Sequence, residues 1–161
     1  MKNKKMVQLT VFILVTGLYG IFPLSGSAGT LYVLSRGQHV YVPVYSHIYH
    51  GDKGERFNLT TTLSIRNTNF KKSITLNSID YFDTNGKLVK SYLKTPILLN
   101  NFSSIRYIIK ATDSSGGSGA KFIVEWKSKE LVNSPLIEAI MISTQGQQGI
   151  SFVSRGQAIQ K

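Results

Sequence analysis

From Phe57 to Arg66 the chain alternates strictly between two kinds of residue, and that alternation restricts it to few folds. Phe57, Leu59, Thr61, Leu63 and Ile65 fall on one side, and Asn58, Thr60, Thr62, Ser64 and Arg66 on the other. A period of two is that of a half-buried strand, not a helix. A strand with one apolar face needs a second layer to cover it.

The same period recurs along the chain. Val40, Val42 and Val44 oppose Tyr41 and Tyr45. Pro43 within that run has no N–H to give a ladder, which predicts an edge strand or a bulge. Ile74, Leu76 and Ser78 give way to Ile79 and Tyr81, and the slip near Ser78 predicts a bulge there. Ile105, Tyr107 and Ile109 form another such run, and so do Phe122, Val124 and Trp126, which places Trp126 in the core. Leu136 to Ser143 is read as a buried strand rather than a short helix, because Pro135 and a Gln-Gly-rich loop bracket it. Asp83-Thr84-Asn85-Gly86 predicts a hairpin, since Asn-Gly reaches positive φ at little cost. Asp113 to Gly119 reads as a flexible loop and Thr144 to Gly149 as another.

Seven to nine short strands with no sustained helical period predict an all-β chain. The expected architecture is an antiparallel β-sandwich, immunoglobulin-like in the broad sense, with a small closed β-barrel as the alternative. Ser-Arg-Gly-Gln occurs at 35–38 and again at 154–157, which suggests similar structural tasks at the two ends of the domain, as neighbouring strands.

The N-terminus has the three parts of a secretory signal. Lys2, Lys4 and Lys5 precede an apolar run from Val7 to Phe22, and Gly26 and Ala28 stand where a signal peptidase reads. A retained anchor is the rival reading. A spanning helix needs about 20 apolar residues, and this run is shorter, with Gly17 and Gly20 inside it and Pro23 beyond. The expected organisation is a cleaved signal at 1–28, a lead-in at 29–37, one sandwich domain at 38–157 and a polar tail at 158–161. The expected compartment is the periplasm or the exterior, with no membrane-spanning segment in the mature chain. The chain has no cysteine, so thiol catalysis, thiolate metal sites and attachment of lipid to cysteine are excluded. Losing the signal lysines lowers the formal charge from +11 to +8. The excess favours an anionic surface, a polysaccharide or an envelope protein as partner. Nucleic acid is not an expected partner of an exported chain. The charges are scattered, and Lys71-Lys72 is the one adjacent basic pair of the mature chain.

Candidate chemistry concentrates in Tyr45-Ser46-His47-Ile48-Tyr49-His50-Gly51-Asp52. On a strand His47 and Tyr49 share a face and His50 opposes them. In a turn, His47, His50 and Asp52 would converge on one zinc or copper ion. The plainer reading is a polar aromatic loop whose rings pack and whose tips hydrogen-bond. Gly116 and Gly117 lack the Gly-Lys-Ser/Thr ending of a phosphate loop. No serine sits in a nucleophile elbow. The expected binding surface therefore combines Tyr45, His47, Tyr49, His50 and Asp52 with Gly116 and Gly117 and with Gln147 and Gln148, provided that the three loops share one end of the fold. No catalytic residue and no cofactor is expected. The functional expectation is a non-enzymatic exported binding or structural module of the cell envelope. The alternatives are a metal-binding export protein and a hydrolase without a recognisable motif.

Several segments together resemble one uncharacterised bacterial family. They are Val40-Tyr41-Val42-Pro43-Val44-Tyr45-Ser46-His47-Ile48-Tyr49, Leu63-Ser64-Ile65-Arg66-Asn67-Thr68 and Asp80-Tyr81-Phe82-Asp83 with Gly86-Lys87-Leu88-Val89. Ser115-Gly116-Gly117-Ser118-Gly119-Ala120 ahead of Phe122-Ile123-Val124-Glu125-Trp126, and Ile137-Glu138-Ala139 ahead of Gln147-Gln148-Gly149-Ile150-Ser151-Phe152, complete the set. The family is the domain of unknown function numbered thirty-one twenty-four, and the resemblance spans roughly 36 to 157. It implies an exported bacterial protein and implies no activity.

Overall fold

A computed structural model describes residues 34–144 and 149–160. Its strands form two main antiparallel sheets and a separate hairpin. The first sheet is built around β1 (Leu34–Pro43), which pairs with β9 (Lys121–Asn133) on one side and β12 (Gln157–Ile159) on the other. β9 in turn pairs with β5 (Ile74–Phe82). The far edge of β5 is shared by β6 (Leu88–Ser91) and β7 (Ile97–Leu99). The second sheet has the order β11 (Ile150–Arg155), β10 (Leu136–Ser143), β4 (Thr60–Arg66), β8 (Ser104–Ile109). A hairpin of β2 (His47–His50) and β3 (Glu55–Asn58) stands apart from both. Neither sheet closes into a barrel, so the described residues form an antiparallel β-sandwich.

The strands are more numerous than the periodicity predicts, because β2, β3, β7 and β12 have only three or four residues each, too few to show a period. Where the period is clear it is obeyed. Val40, Val42, Val44, Leu59, Leu63 and Ile65 are buried, as are Phe122, Val124 and Trp126. β10 buries one face only, through Ile137, Ala139 and Met141, and leaves Ile142 exposed. It is half-buried rather than buried on both sides. Each fully buried large apolar side chain contributes roughly 1.5–3 kcal/mol, and this shared core makes the sandwich.

The slip near Ser78 is a bulge. Leu76 pairs with Trp126 and Ser78 with Glu125, which leaves Asn77 as the extra residue, its amide on Glu125 at 3.0 Å. Pro43 behaves differently from expectation. β1 lies inside its sheet, and its bulge falls between Ser35 and Gly37, away from the proline. Val44 N–H donates to Ala120 on the β9 side, so the alternating Pro43 nitrogen faces the other way. There β12 has already ended, with Gln157 opposite Tyr41, so no ladder bond is missing. The proline carbonyl on that side accepts from the Ser154 hydroxyl.

The two Ser-Arg-Gly-Gln copies are not a matched pair of strands: the first lies in β1, whereas the second spans the end of β11 (Ser154, Arg155), Gly156 and the first residue of β12, Gln157, which pairs with Tyr41 of β1. Each glycine sits where backbone leaves no room for a side chain. A Cβ at Gly37 would lie 2.8 Å from the Trp126 carbonyl oxygen. One at Gly156 would lie 2.6 Å from Val40 and 3.0 Å from the Ile137 carbonyl oxygen. Gly156 is the step by which the chain passes from β11 in one sheet to β12 in the other. The first sheet starts at Leu34 and ends at Ile159, so its strands reach beyond the expected 38–157 on both sides.

Candidate functional site

Beyond Pro43 the chain crosses from the first sheet to the second. Val44 N–H donates to Ala120 at 3.0 Å, and Leu59 N–H donates to Ser46 at 2.9 Å. The Thr61 hydroxyl donates to the Tyr45 carbonyl at 3.1 Å. The β2–β3 hairpin rises from this crossing, with His47 opposite Asn58 and Tyr49 opposite Arg56. Gly51 and Gly54 close it, each at φ 65°, a conformation that favours glycine. β3 is the outward continuation of β4, past the last pairs that β4 makes with β8 and β10.

His47 and Tyr49 share a face, with ring centroids 5.1 Å apart and an interplanar angle of 89°. His47 is buried, Tyr49 is exposed, and His47 Nε2 lies 3.2 Å from the Tyr49 oxygen. On the other side of the ring, His47 Nδ1 lies 3.1 Å from Ser46 Oγ, and that hydroxyl donates to the Gly117 carbonyl at 3.1 Å. Because the serine proton goes to Gly117, the directions are fixed. Tyr49 donates to Nε2, and Nδ1–H donates to Ser46. Burial first, and the Arg56 guanidinium second, hold the His47 pKa below its usual 6.5. The neutral ring is the form that this relay needs. Ser46 is buried and its proton is committed to the Gly117 carbonyl.

The loop at 113–119 meets the crossing directly, since Ser46 N–H also donates to Gly117, at 3.1 Å. The loop is not the flexible connection that its composition suggests. Thr84 of the neighbouring hairpin donates to Gly116 through its N–H at 2.9 Å and its hydroxyl at 3.1 Å, and it accepts from Gly119 N–H at 3.0 Å. The glycines serve close packing. A Cβ at Gly116 would lie 1.8 Å from the Tyr81 oxygen, and Gly117 has φ 77° with Thr84 Oγ1 2.5 Å from its would-be Cβ. Nor is the loop a phosphate cradle. The amides of Ser115, Gly117 and Gly119 already donate to Asp113, Ser114 and Thr84.

Tyr81, beneath this loop, is fully buried, and its hydroxyl lies against Gly116 without a well-aligned hydrogen bond. Burial first, then Asp113, push its pKa up to about 12.

The structure therefore joins two of the three expected segments, 45–52 and 113–119. Gln147 and Gln148 of the third lie outside the described residues. Tyr45 is structural, packed edge-on against Phe152 at 5.8 Å. His50 faces away from His47 and packs edge-on against Phe57 at 5.7 Å, while Asp52 stands exposed in the hairpin turn. His47, His50 and Asp52 are thus not brought together on one ion. Among the described residues no three histidine or carboxylate side chains are placed to hold a metal. Arg56, Asn58 and Thr84 also belong to this end. Pairing Tyr45–His50 with the next strand would have found Arg56 and Asn58, but nothing local marks Thr84. A groove of about 350 Å³ beside the hairpin is lined by Asn58, Thr60, Ala111, Thr112 and Ile142 to Thr144.

No curated protein matches the chain. A solved structure described as "Crystal Structure of Thermotoga maritima 1070" is similar over 74% of this chain and 92% of that chain, at 12% identity and a TM-score of 0.45. No helix among the described residues is long and apolar enough to cross a membrane. The segments that carry the resemblance in the sequence run through the core strands, the hairpin and the Gly-rich loop, and residues 37–159 match the family described as "Protein of unknown function (DUF3124)", to which this chain belongs.

Proposed function

We propose that this chain is an exported, non-enzymatic binding module of the bacterial envelope, and that it holds its partner at the β2–β3 hairpin. The observation that carries this reading is the relay from exposed Tyr49 through His47 and Ser46 to the Gly117 carbonyl. It makes a protruding hairpin rigid and leaves Tyr49 and Arg56 facing solvent together. Rigid aromatic and arginine side chains on a fixed scaffold are what binding surfaces are made of. The signal-like N-terminus and the basic charge support the compartment. The test has two parts. Cells producing the tagged chain are fractionated, and the exported product is sequenced from its N-terminus; Gly29 is the expected first residue, and an uncleaved chain held in the cytoplasm would overturn the export reading. A photo-crosslinking residue at position 49 should give one defined adduct in intact cells, abolished by Arg56→Ala. Absence of any adduct at 49 and 56 sinks the hairpin site.

A further inference from the structure

The opposite end of the strands carries a different surface. Phe70 and Phe102 sit on adjacent loops and stack on one another, with centroids 4.4 Å apart and an interplanar angle of 18°. Both are exposed, at 71% and 65%. Phe102 has φ 54°, a left-handed conformation costly for a bulky residue. It is held there by bonds between the loops. Phe102 N–H donates to Asn69 at 2.9 Å, and the Asn101 amide donates to the Phe70 carbonyl at 2.8 Å. The buried Asn67 amide ties both loops from below, donating to Lys72 at 2.8 Å and Asn100 at 3.0 Å. Beside the rings lies a groove of about 260 Å³ whose lining includes Lys71, Lys72, Lys129, Glu130 and exposed Leu98. Lys72 is paired with Glu130 at 2.6 Å, which leaves the groove with a net positive charge.

We propose that this end docks on an anionic phospholipid bilayer, with Phe70 and Phe102 inserted at the headgroup boundary and Lys71 and Lys129 on the lipid phosphates. Exposed apolar rings beside lysines are the two components of interfacial attachment. A sugar would fit poorly. The stack covers one face of each ring, and the neighbouring asparagine side chains already bond to backbone. The chain also enters the domain here. Leu34 pairs with Asn133, and Thr68 donates to the adjacent Ser134 at 3.3 Å. The first described strand therefore begins at the end that carries the rings. Docked this way, the hairpin end points away from the bilayer. From the reading above the proposal takes only the envelope location, and it does not use the hairpin site.

The test uses the full chain with vesicles of phosphatidylglycerol and phosphatidylcholine, and with phosphatidylcholine alone. A Phe70→Trp variant reports the tip locally, because the native Trp126 is fully buried. Its emission should shift to the blue with anionic vesicles and stay unchanged with neutral ones. Phe102→Asn should weaken vesicle partitioning by roughly tenfold, and Lys129→Gln by about fivefold, with the loss growing smaller in high salt. Asparagine accepts φ > 0, so Phe102→Asn should not lower the melting temperature, and loss of binding there is not loss of fold. An unchanged Phe70→Trp emission with anionic vesicles would overturn the proposal. So would wild-type partitioning by Phe102→Asn, self-association that Phe102→Asn abolishes, or binding to an anionic polysaccharide in place of vesicles. An uncleaved cytoplasmic chain would remove the export reading and leave the vesicle result standing, so the two failures are distinguishable.

Discussion

The two ends of this sandwich are made from the same strands and treat their polar groups alike, yet they present opposite surfaces. At the hairpin end Ser46, Thr84 and Lys121 spend their side chains on loop carbonyls at 3.1, 3.1 and 2.6 Å. At the other end Asn67 and Asn101 do the same, and Asn69 accepts from the Lys71 and Lys72 N–H groups. In both places side chains satisfy backbone that no sheet reaches. The difference is what remains outside. The hairpin end keeps His47 and Tyr81 inside, whereas the other end leaves two phenylalanines in solvent, one with strained backbone. Residues that look chemical in the sequence hold structure, and residues that look like core stand exposed. An exposed polar side chain needs no explanation, but a stacked and strained exposed aromatic pair does.

The sharpest test of the pinned end is Gly116→Ala. The new methyl group would occupy space held by the Tyr81 hydroxyl, and Tyr81 is enclosed on all sides. We expect a loss of about 2–4 kcal/mol in denaturant unfolding. Tyr81→Phe removes a buried hydroxyl that has no well-aligned hydrogen bond, so alone it should be nearly neutral. Combined with Gly116→Ala it should return part of the loss. A Gly116→Ala protein of native stability would mean that the loop gives way freely, and the contrast between the ends would collapse.

Tyr81 also makes the pinned end sensitive to alkali. Its folded pKa is raised from 10.0 to about 12. Below pH 10 neither state ionises the phenol and the full stability is present. Between pH 10 and 12 the unfolded chain releases the proton while the folded chain keeps it, so stability falls. The expected contribution is roughly 2–3 kcal/mol over that window, and Tyr81→Phe should remove it. The raised Tyr92 and Tyr107 act in the same direction and will remain in that variant.

At the exposed end the expected change has the other sign. Phe102→Asn relieves a left-handed phenylalanine at the cost of one exposed ring stack, and should raise stability by up to about 1 kcal/mol. A clear loss instead would show that the Phe70–Phe102 pair is part of the fold, and that both ends are structural.

The fold was legible because alternation survives wherever a strand is long. The 122–126 run and the slip at Ser78 appear where the period places them, and the 57–66 run keeps its buried face but breaks at Leu59 into β3 and β4, which pair in different sheets. Short strands such as β2 and β7 have no period, and their pairing depends on contacts distant in sequence. The site was legible in part. Alternation puts His47 and Tyr49 on one face with His50 behind, as found. The link from Ser46 to Gly117 joins residues 71 apart in sequence, and local pattern holds no trace of it. Glycines gave the wrong sense at 116–119, since glycine marks both loose chain and tight contact, and only the neighbours Tyr81 and Thr84 distinguish the two. Phe70 carries no signal of its own, because a single phenylalanine in a loop looks like any other apolar residue until its partner Phe102 is placed beside it.

The smallest effect concerns the relay itself. Burial is the larger cause of the lowered His47 pKa and Arg56 the smaller. The folded pKa lies below the unfolded 6.5, so this group's contribution is complete above pH 6.5. As pH falls past 6.5 the unfolded chain takes up the proton first, and stability is lost on acidification. Arg56 and Tyr49 face the ring from the hairpin, and Ser46 faces it from the crossing. No carboxylate hydrogen-bonds to it among the described residues, so nothing there favours the cation. His47→Gln should flatten the pH dependence of unfolding below pH 6.5. Arg56→Gln should make the loss smaller without abolishing it, because burial remains. An imidazole titration followed by proton resonance, with His47 at or above 6.5 in the folded protein, would reverse the sign. The ring would then have a stabilised charged form, the relay direction assigned here would fail, and the hairpin would lose the rigidity that sets it apart as a binding surface.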